Sequence, residues 1–75
     1  MAKEIRTRHR IGIGAQLRAN REEQGWTVEQ VATMADVKPK TVEKIENGVF
    51  NVPLDVLAQV ADVLGCDLVF RARKV

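Results

Sequence analysis

The chain has no serine and no tyrosine, one cysteine (Cys66), one histidine (His9), two prolines and three large aromatic side chains in 75 residues. Each scarcity removes a class of function. A lone cysteine forms no internal disulfide, and with a single histidine far from it in sequence there is no zinc set to assemble. Without serine or tyrosine, and with its one histidine near the amino end, the sequence holds no nucleophile and base pair. Gly12-Ile13-Gly14 lacks the third glycine and the preceding strand of a phosphate-binding loop. No catalytic residue, no metal and no cofactor is therefore expected, and the free thiol points to a reducing cytoplasm. No apolar run reaches the ~18 residues that a membrane helix needs, and the start Met-Ala-Lys-Glu-Ile-Arg lacks the apolar core of a signal peptide. A soluble cytoplasmic protein is expected, with no membrane partner.

Basic excess is also modest, and its placement is uneven. Residues 1–10 and residues 71–75 each carry a net +3, which leaves −4 for the body of a chain whose net charge is +2. Global charge thus makes no case for a nucleic-acid partner; the position of particular cations must.

Residues 1–10 show no apolar periodicity and read as a flexible basic arm. Residues 11–65 read as a domain of short helices. Ile13 and Leu17, flanked by polar residues, start an amphipathic helix that ends near Gln24, with Gly25 as its stop. Thr27 and Gln30 have the spacing of a capping box, and Trp26 and Val31 that of a hydrophobic staple, so both set the start of a second helix at Val28. It ends near Ala35, because Asp36 suits a left-handed turn position and Pro39 forbids continuation. Pro39 opens a third helix running to Asn47, with Val42 and Ile45 inward and Gly48 as its stop. A fourth begins near Pro53, its inward face Leu54, Leu57, Val60, Ala61 and Leu64, and ends at Gly65. The fold class is all-α, a bundle of four to five short helices.

Residues 66–75 differ in period. Leu68, Phe70 and Ala72 alternate with Asp67, Arg71 and Arg73, which predicts a β-strand. With no second strand candidate in the chain, its backbone groups need a partner molecule, and antiparallel pairing with a second copy through Leu68, Val69, Phe70 and Arg71 is the expected solution. The alternative is a frayed tail with Leu68 and Phe70 tucked onto the core. Phe50 and Val52 have two readings, core packing or part of a partner surface. Trp26 is read as core rather than a base-stacking ring, and Cys66 as a small buried hydrophobe rather than a redox sensor.

Two short helices joined by a tight turn, the second opening on cations, describe a helix-turn-helix, here Thr27 to Gly48. Lys38 and Lys40 face the positive end of the third helix's dipole, an unfavourable arrangement that phosphate oxygens would offset. Lys40 and Lys44 share one outward face with Glu43 and Asn47.

The stretch Leu17–Thr27, then Val31-Ala32, Asp36-Val37, Thr41–Gly48 and Leu57 through Leu64-Gly65, resembles the Cro/Xre-type (lambda repressor-like) helix-turn-helix family of phage and bacterial repressors over about residues 11 to 66. The resemblance implies sequence-specific binding of double-stranded DNA by a homodimeric transcriptional regulator, a repressor. Its third helix would lie in the major groove with Pro39, Lys40, Thr41, Glu43 and Lys44 at the bases. The phosphate contacts it implies fall on Arg21, Thr27, Val28, Lys38 and Asn47, and it implies an ion pair between Arg21 and Glu46. Two positions depart from the family. Val28 stands where a phosphate-binding glutamine is common, leaving its backbone amide as the donor, and the loop Val49-Phe50-Asn51-Val52 is apolar where the family's is basic or polar. The alternative function is that of an antitoxin-like module that sequesters a toxin or other protein partner, with or without operator binding.

Overall fold

The computed structural model describes residues 2–73; Met1, Lys74 and Val75 lie outside the described residues, and with them part of the basic tail. Four helices follow one another: α1 (Ala2–Glu23), α2 (Val28–Ala35), α3 (Pro39–Glu46) and α4 (Leu54–Val63). There is no strand among the described residues.

The first helix is longer than its apolar pattern suggests. The basic arm expected over residues 1–10 is helical from Ala2 onward, continuous with the amphipathic part. Backbone propensity explains the extension: before Gly12 the segment holds neither glycine nor proline, and six of the nine residues 2–10 are strong helix formers, Ala2, Lys3, Glu4, Arg6, Arg8 and Arg10. Glu4 sits in the first turn, where a carboxylate complements the helix dipole. Helicity of this origin leaves no apolar stripe behind it, so periodicity does not register it.

All four helices end in the same way. The amides of Trp26, Val37, Val49 and Cys66 donate to the carbonyls of Arg21, Ala32, Lys44 and Ala61, while those of Gly25, Asp36, Gly48 and Gly65 donate to Glu22, Thr33, Ile45 and Asp62. This is the paired 6→1 and 5→2 pattern of a Schellman stop, with a left-handed residue at each turn. Three of the four are glycines, and Asp36 (φ 58°) is the one side chain that accepts this backbone. The turn between α2 and α3 is thereby held to Asp36, Val37 and Lys38.

The core is assembled from one face of each helix. Leu17 of α1, Val31, Ala32 and Ala35 of α2, Val42 and Ile45 of α3, and Leu57, Val60 and Ala61 of α4 are buried together with Leu64 and Phe50. Phe50 closes the core from the loop after α3, and Val52 packs against it, so the apolar loop is partly structural. Trp26 and Cys66 also pack on the core, half-buried. Trp26 Nε1–H donates to Gln24 Oε1 at 3.3 Å, and Gln24 Nε2 donates to the Leu64 carbonyl at 2.8 Å, tying the end of α1 to the end of α4.

One expectation needs correction. Leu54, placed inward from its spacing, is 67% exposed, because at the first turn of α4, directly after Pro53, it projects past the edge of the bundle. The tail over residues 67–73 forms neither helix nor strand in the protomer. A lone strand has no edge here on which to satisfy its backbone. Nor is Phe70 tucked onto the core, since its ring is fully exposed at 104%.

Candidate nucleic-acid interface

The site is built around α3, and its position is fixed before any charged side chain is considered. At Gly14 of α1 the two helices approach so closely that a Cβ would overlap the carbonyl oxygen of Ile45 and lie 2.8 Å from that of Glu46. At Gly48, just past the end of α3, a Cβ would lie 2.9 Å from Ile11 Cα, and the backbone there is left-handed (φ 74°). Only glycine meets both conditions at position 48. These two contacts seat the carboxyl end of α3 directly on α1. Val42 and Ile45, both fully buried, hold its inner face against the core.

A charged clamp acts at the same place. Arg21 Nε donates to Glu46 Oε2 at 2.6 Å and Arg21 Nη2 to Glu46 Oε1 at 3.0 Å, a bidentate pair. Arg21 Nη1 also donates to the Trp26 carbonyl at 2.8 Å. The side chains are 13% and 6% exposed, so the pair is largely shielded from water and from screening. The hydrogen bond to Glu46 holds the guanidinium above its ordinary range, against an opposing effect of burial. One side chain thus ties α1, the entry to α2 and the last turn of α3 together.

With the carboxyl end and the inner face of α3 anchored, its outer face is presented to solvent. Lys40, Glu43, Lys44 and Asn47 are exposed, as are Lys38 and Pro39 at its start, while Thr41 is half-buried at the edge of this surface. Lys38 is the N-cap and makes no side-chain cap hydrogen bond, and the first turn contains no acidic residue. Lys38 and Lys40 therefore meet the positive end of the helix dipole with no carboxylate in the same turn to offset it. Lys44, in the last turn, is favourably placed on the same dipole. None of these lysines has an ion-pair partner among the described residues.

Through its bonds to Glu46 and to the Trp26 carbonyl, Arg21 links the amino end of α2 to the carboxyl end of α3. Thr27 Oγ1 accepts from the Gln30 amide at 3.1 Å, and Gln30 Oε1 accepts from the Thr27 amide at 2.8 Å, completing the capping box. The Thr27 amide is therefore committed within the protein. The Val28 amide is the first of the helix, a position with no intrahelical acceptor. Glu29 brings a carboxylate to the same turn.

The structure thus carries Arg21, Thr27, Val28 and the exposed α3 residues on adjoining elements, and Leu68, Val69, Phe70 and Arg71 are exposed in the tail that follows α4. Three features escape sequence reasoning: the close approach at Gly14, the Ile11 contact of Gly48, and the Arg21 bond to the Trp26 carbonyl. A glycine inside a helix, costing ~1 kcal/mol relative to alanine, is the only signal of the first. Among the described residues there is no group of His, Cys, Asp and Glu that could hold a metal ion. No helix among them is long and apolar enough to cross a membrane.

Comparison with known proteins agrees with this geometry. The helix-turn-helix family model matches residues 17–70, from the buried Leu17 of α1 through α4 and into the tail. No curated protein and no solved structure matches the chain. That span takes in α2, the three-residue turn and α3, and the chain belongs to the Cro/Xre-type helix-turn-helix family of DNA-binding regulators.

Proposed function

We propose that the chain is a homodimeric transcriptional repressor that binds double-stranded DNA sequence-specifically, in the cytoplasm, by inserting α3 into the major groove. One observation carries this reading: α3 is anchored by Gly14, Gly48 and the Arg21–Glu46 pair, and the face left over displays Lys40, Glu43 and Lys44 without partners. Pro39, Lys40, Thr41, Glu43 and Lys44 are assigned to the bases. Lysine is suited to the O6 and N7 acceptors of guanine, and a carboxylate to the N4 donor of cytosine. Glu43, flanked by lysines, is repelled by phosphate and is expected to face base edges.

Lys38 and Asn47, at opposite ends of α3, are assigned to the flanking phosphates, with Thr27 through its hydroxyl, Val28 through its amide and Arg21 through the guanidinium N–H groups that its protein contacts leave over. The tail supplies the second subunit: Leu68, Val69, Phe70 and Arg71 pair with their copies as a two-stranded ribbon, covering the apolar side chains that the protomer exposes. Repression is the regulatory sense that needs only occupancy of the site.

Selection of duplex fragments from the host genome on the purified chain tests this. The expected yield is one motif with two-fold related half-sites separated by about one helical turn, ~34 Å, or a multiple. Fragments with no common motif would count against it. A second reading, an antitoxin-like module that sequesters a partner protein, draws on the exposed Val49 and Leu54, which the tail pairing does not involve. Loss of DNA binding on alteration of these two residues would favour neither base nor phosphate contact but a protein-mediated complex.

A further inference from the structure

Beyond the matched region, the first half of α1 carries a feature that the groove-reading surface does not use. Lys3, Arg6, Arg10, Gly14, Leu17 and Arg21 succeed one another at steps of three and four residues, so they form one stripe along the helix. In its second half this stripe is the face that meets the body: Gly14 touches the end of α3, Leu17 is buried in the core and Arg21 binds Glu46. In its first half the stripe is cationic. Lys3 and Arg6 are exposed and Arg10 is half-exposed, and none of them has an ion-pair partner among the described residues.

The seating of Gly48 on Ile11 fixes where this cationic stripe goes. Residues 2–10 lie on the far side of that contact, so they run past the carboxyl end of α3 for about 13 Å at the usual rise per residue. The protomer measures 39 × 22 × 20 Å, in keeping with a helix projecting from a smaller body. The stripe that rests on α3 behind Gly48 therefore overhangs the space beyond α3 ahead of it. A duplex on the outer face of α3 that continued past its carboxyl end would bring its phosphates toward that space.

We propose that residues 2–10 form a second polyanion-binding element, a cationic prong whose Lys3, Arg6 and Arg10 face grips the DNA backbone beyond the end of α3. This rests on the DNA-binding reading of α3 and adds to it a sequence-independent contact. Pairing of two such prongs in a dimer would set three cations against three. A bilayer surface is a poorer occupant, because Ile5 is the only large apolar side chain between Ala2 and Arg10. Arg8 lies on the opposite side of the helix from Lys3, Arg6 and Arg10, four residues from Glu4, and takes no part in the grip.

The test compares the full-length chain, the K3Q/R6Q/R10Q variant and R8Q on two duplexes, one selected from the host genome by the wild-type chain and one of shuffled sequence. Affinity is followed against salt concentration. The triple variant is expected to lose about tenfold or more in affinity for both duplexes, with its log K against log salt slope shallower by roughly 2 to 3. Its preference for the selected sequence should be unchanged, and R8Q should keep the wild-type slope.

A triple variant that binds like wild type while K40A/K44A is weakened overturns the prong and leaves the α3 reading standing. Equal losses in R8Q and R6Q overturn it as well, since they would reflect net charge and not a face. A wild-type chain that binds neither duplex overturns both readings. Helix content and melting temperature are followed alongside. If the triple variant does not fold, K3Q and R6Q alone, both at exposed positions, should each reduce the slope by about 0.9, and unchanged slopes overturn the proposal.

Discussion

Arg21 of α1 and Glu46 of α3 meet through two hydrogen bonds of 2.6 and 3.0 Å across 25 residues of sequence, and a third bond from Arg21 reaches the Trp26 carbonyl at 2.8 Å. Removing one partner leaves the other charged in a place where water reaches it poorly. Glu46→Ala is expected to lower stability by about 2–3 kcal/mol, the range for a charge-assisted bond whose partner is left without a substitute. Denaturant unfolding of the two single variants and the double variant measures the coupling. Additive losses would mean that the pair does not hold α3. Because Arg21 is held above its ordinary range, its contribution is fully present below that range and is lost only as pH rises through it. No loss of stability across neutral pH should trace to this guanidinium.

Gly14→Ala puts a methyl group into the carbonyl oxygens of Ile45 and Glu46, which are backbone and cannot rotate away. A cost of roughly 3 kcal/mol or more is expected, at the upper end for overpacking, with α3 displaced from α1. Gly12→Ala, where nothing lies within 4 Å, is the control. It should stabilise by up to ~1 kcal/mol through helix propensity. Thermal unfolding of the two variants should move in opposite directions, and equal shifts would contradict the close approach.

Much of the fold was legible because local chemistry and tertiary packing agree. Thr27 and Gln30 form the capping box that their spacing predicts, Asp36 takes the left-handed turn, and Pro39 opens α3. Val42 and Ile45 are buried, as the helical period requires. The amino half of α1 was not legible, since residues 2–10 are helical by propensity and leave no apolar period to find. Leu54 fits the period of α4, yet a helix's first turn can overhang the core it serves. The close approach at Gly14 depends on α3, far away in sequence, and a glycine alone does not say what touches it. The tail is a different case: the alternation of Leu68, Phe70 and Ala72 with charged residues is plain in the sequence, yet residues 67–73 meet no strand edge within the protomer.

That tail is tested by truncation after Gly65. The shortened chain keeps every fully buried core residue and loses only the half-buried Cys66 and the bond from its amide to the Ala61 carbonyl, so it should stay folded. Sedimentation is expected to show a monomer, with weaker binding characteristic of a half-site. A truncated chain that remains dimeric would contradict pairing through Leu68, Val69, Phe70 and Arg71.

The central claim is that the outward face of α3 contacts DNA, and the most direct measurement is the affinity of Lys40→Ala and Lys44→Ala for the selected duplex as salt is varied. Both side chains are exposed, so the fold should be unaffected. Each substitution is expected to weaken binding; one that removes a base contact should cost ~1–3 kcal/mol and relax the sequence preference at one position, whereas one that removes a phosphate contact should lower the salt slope by about 1. Binding that is indifferent to both changes, or that varies little with salt, would contradict the claim.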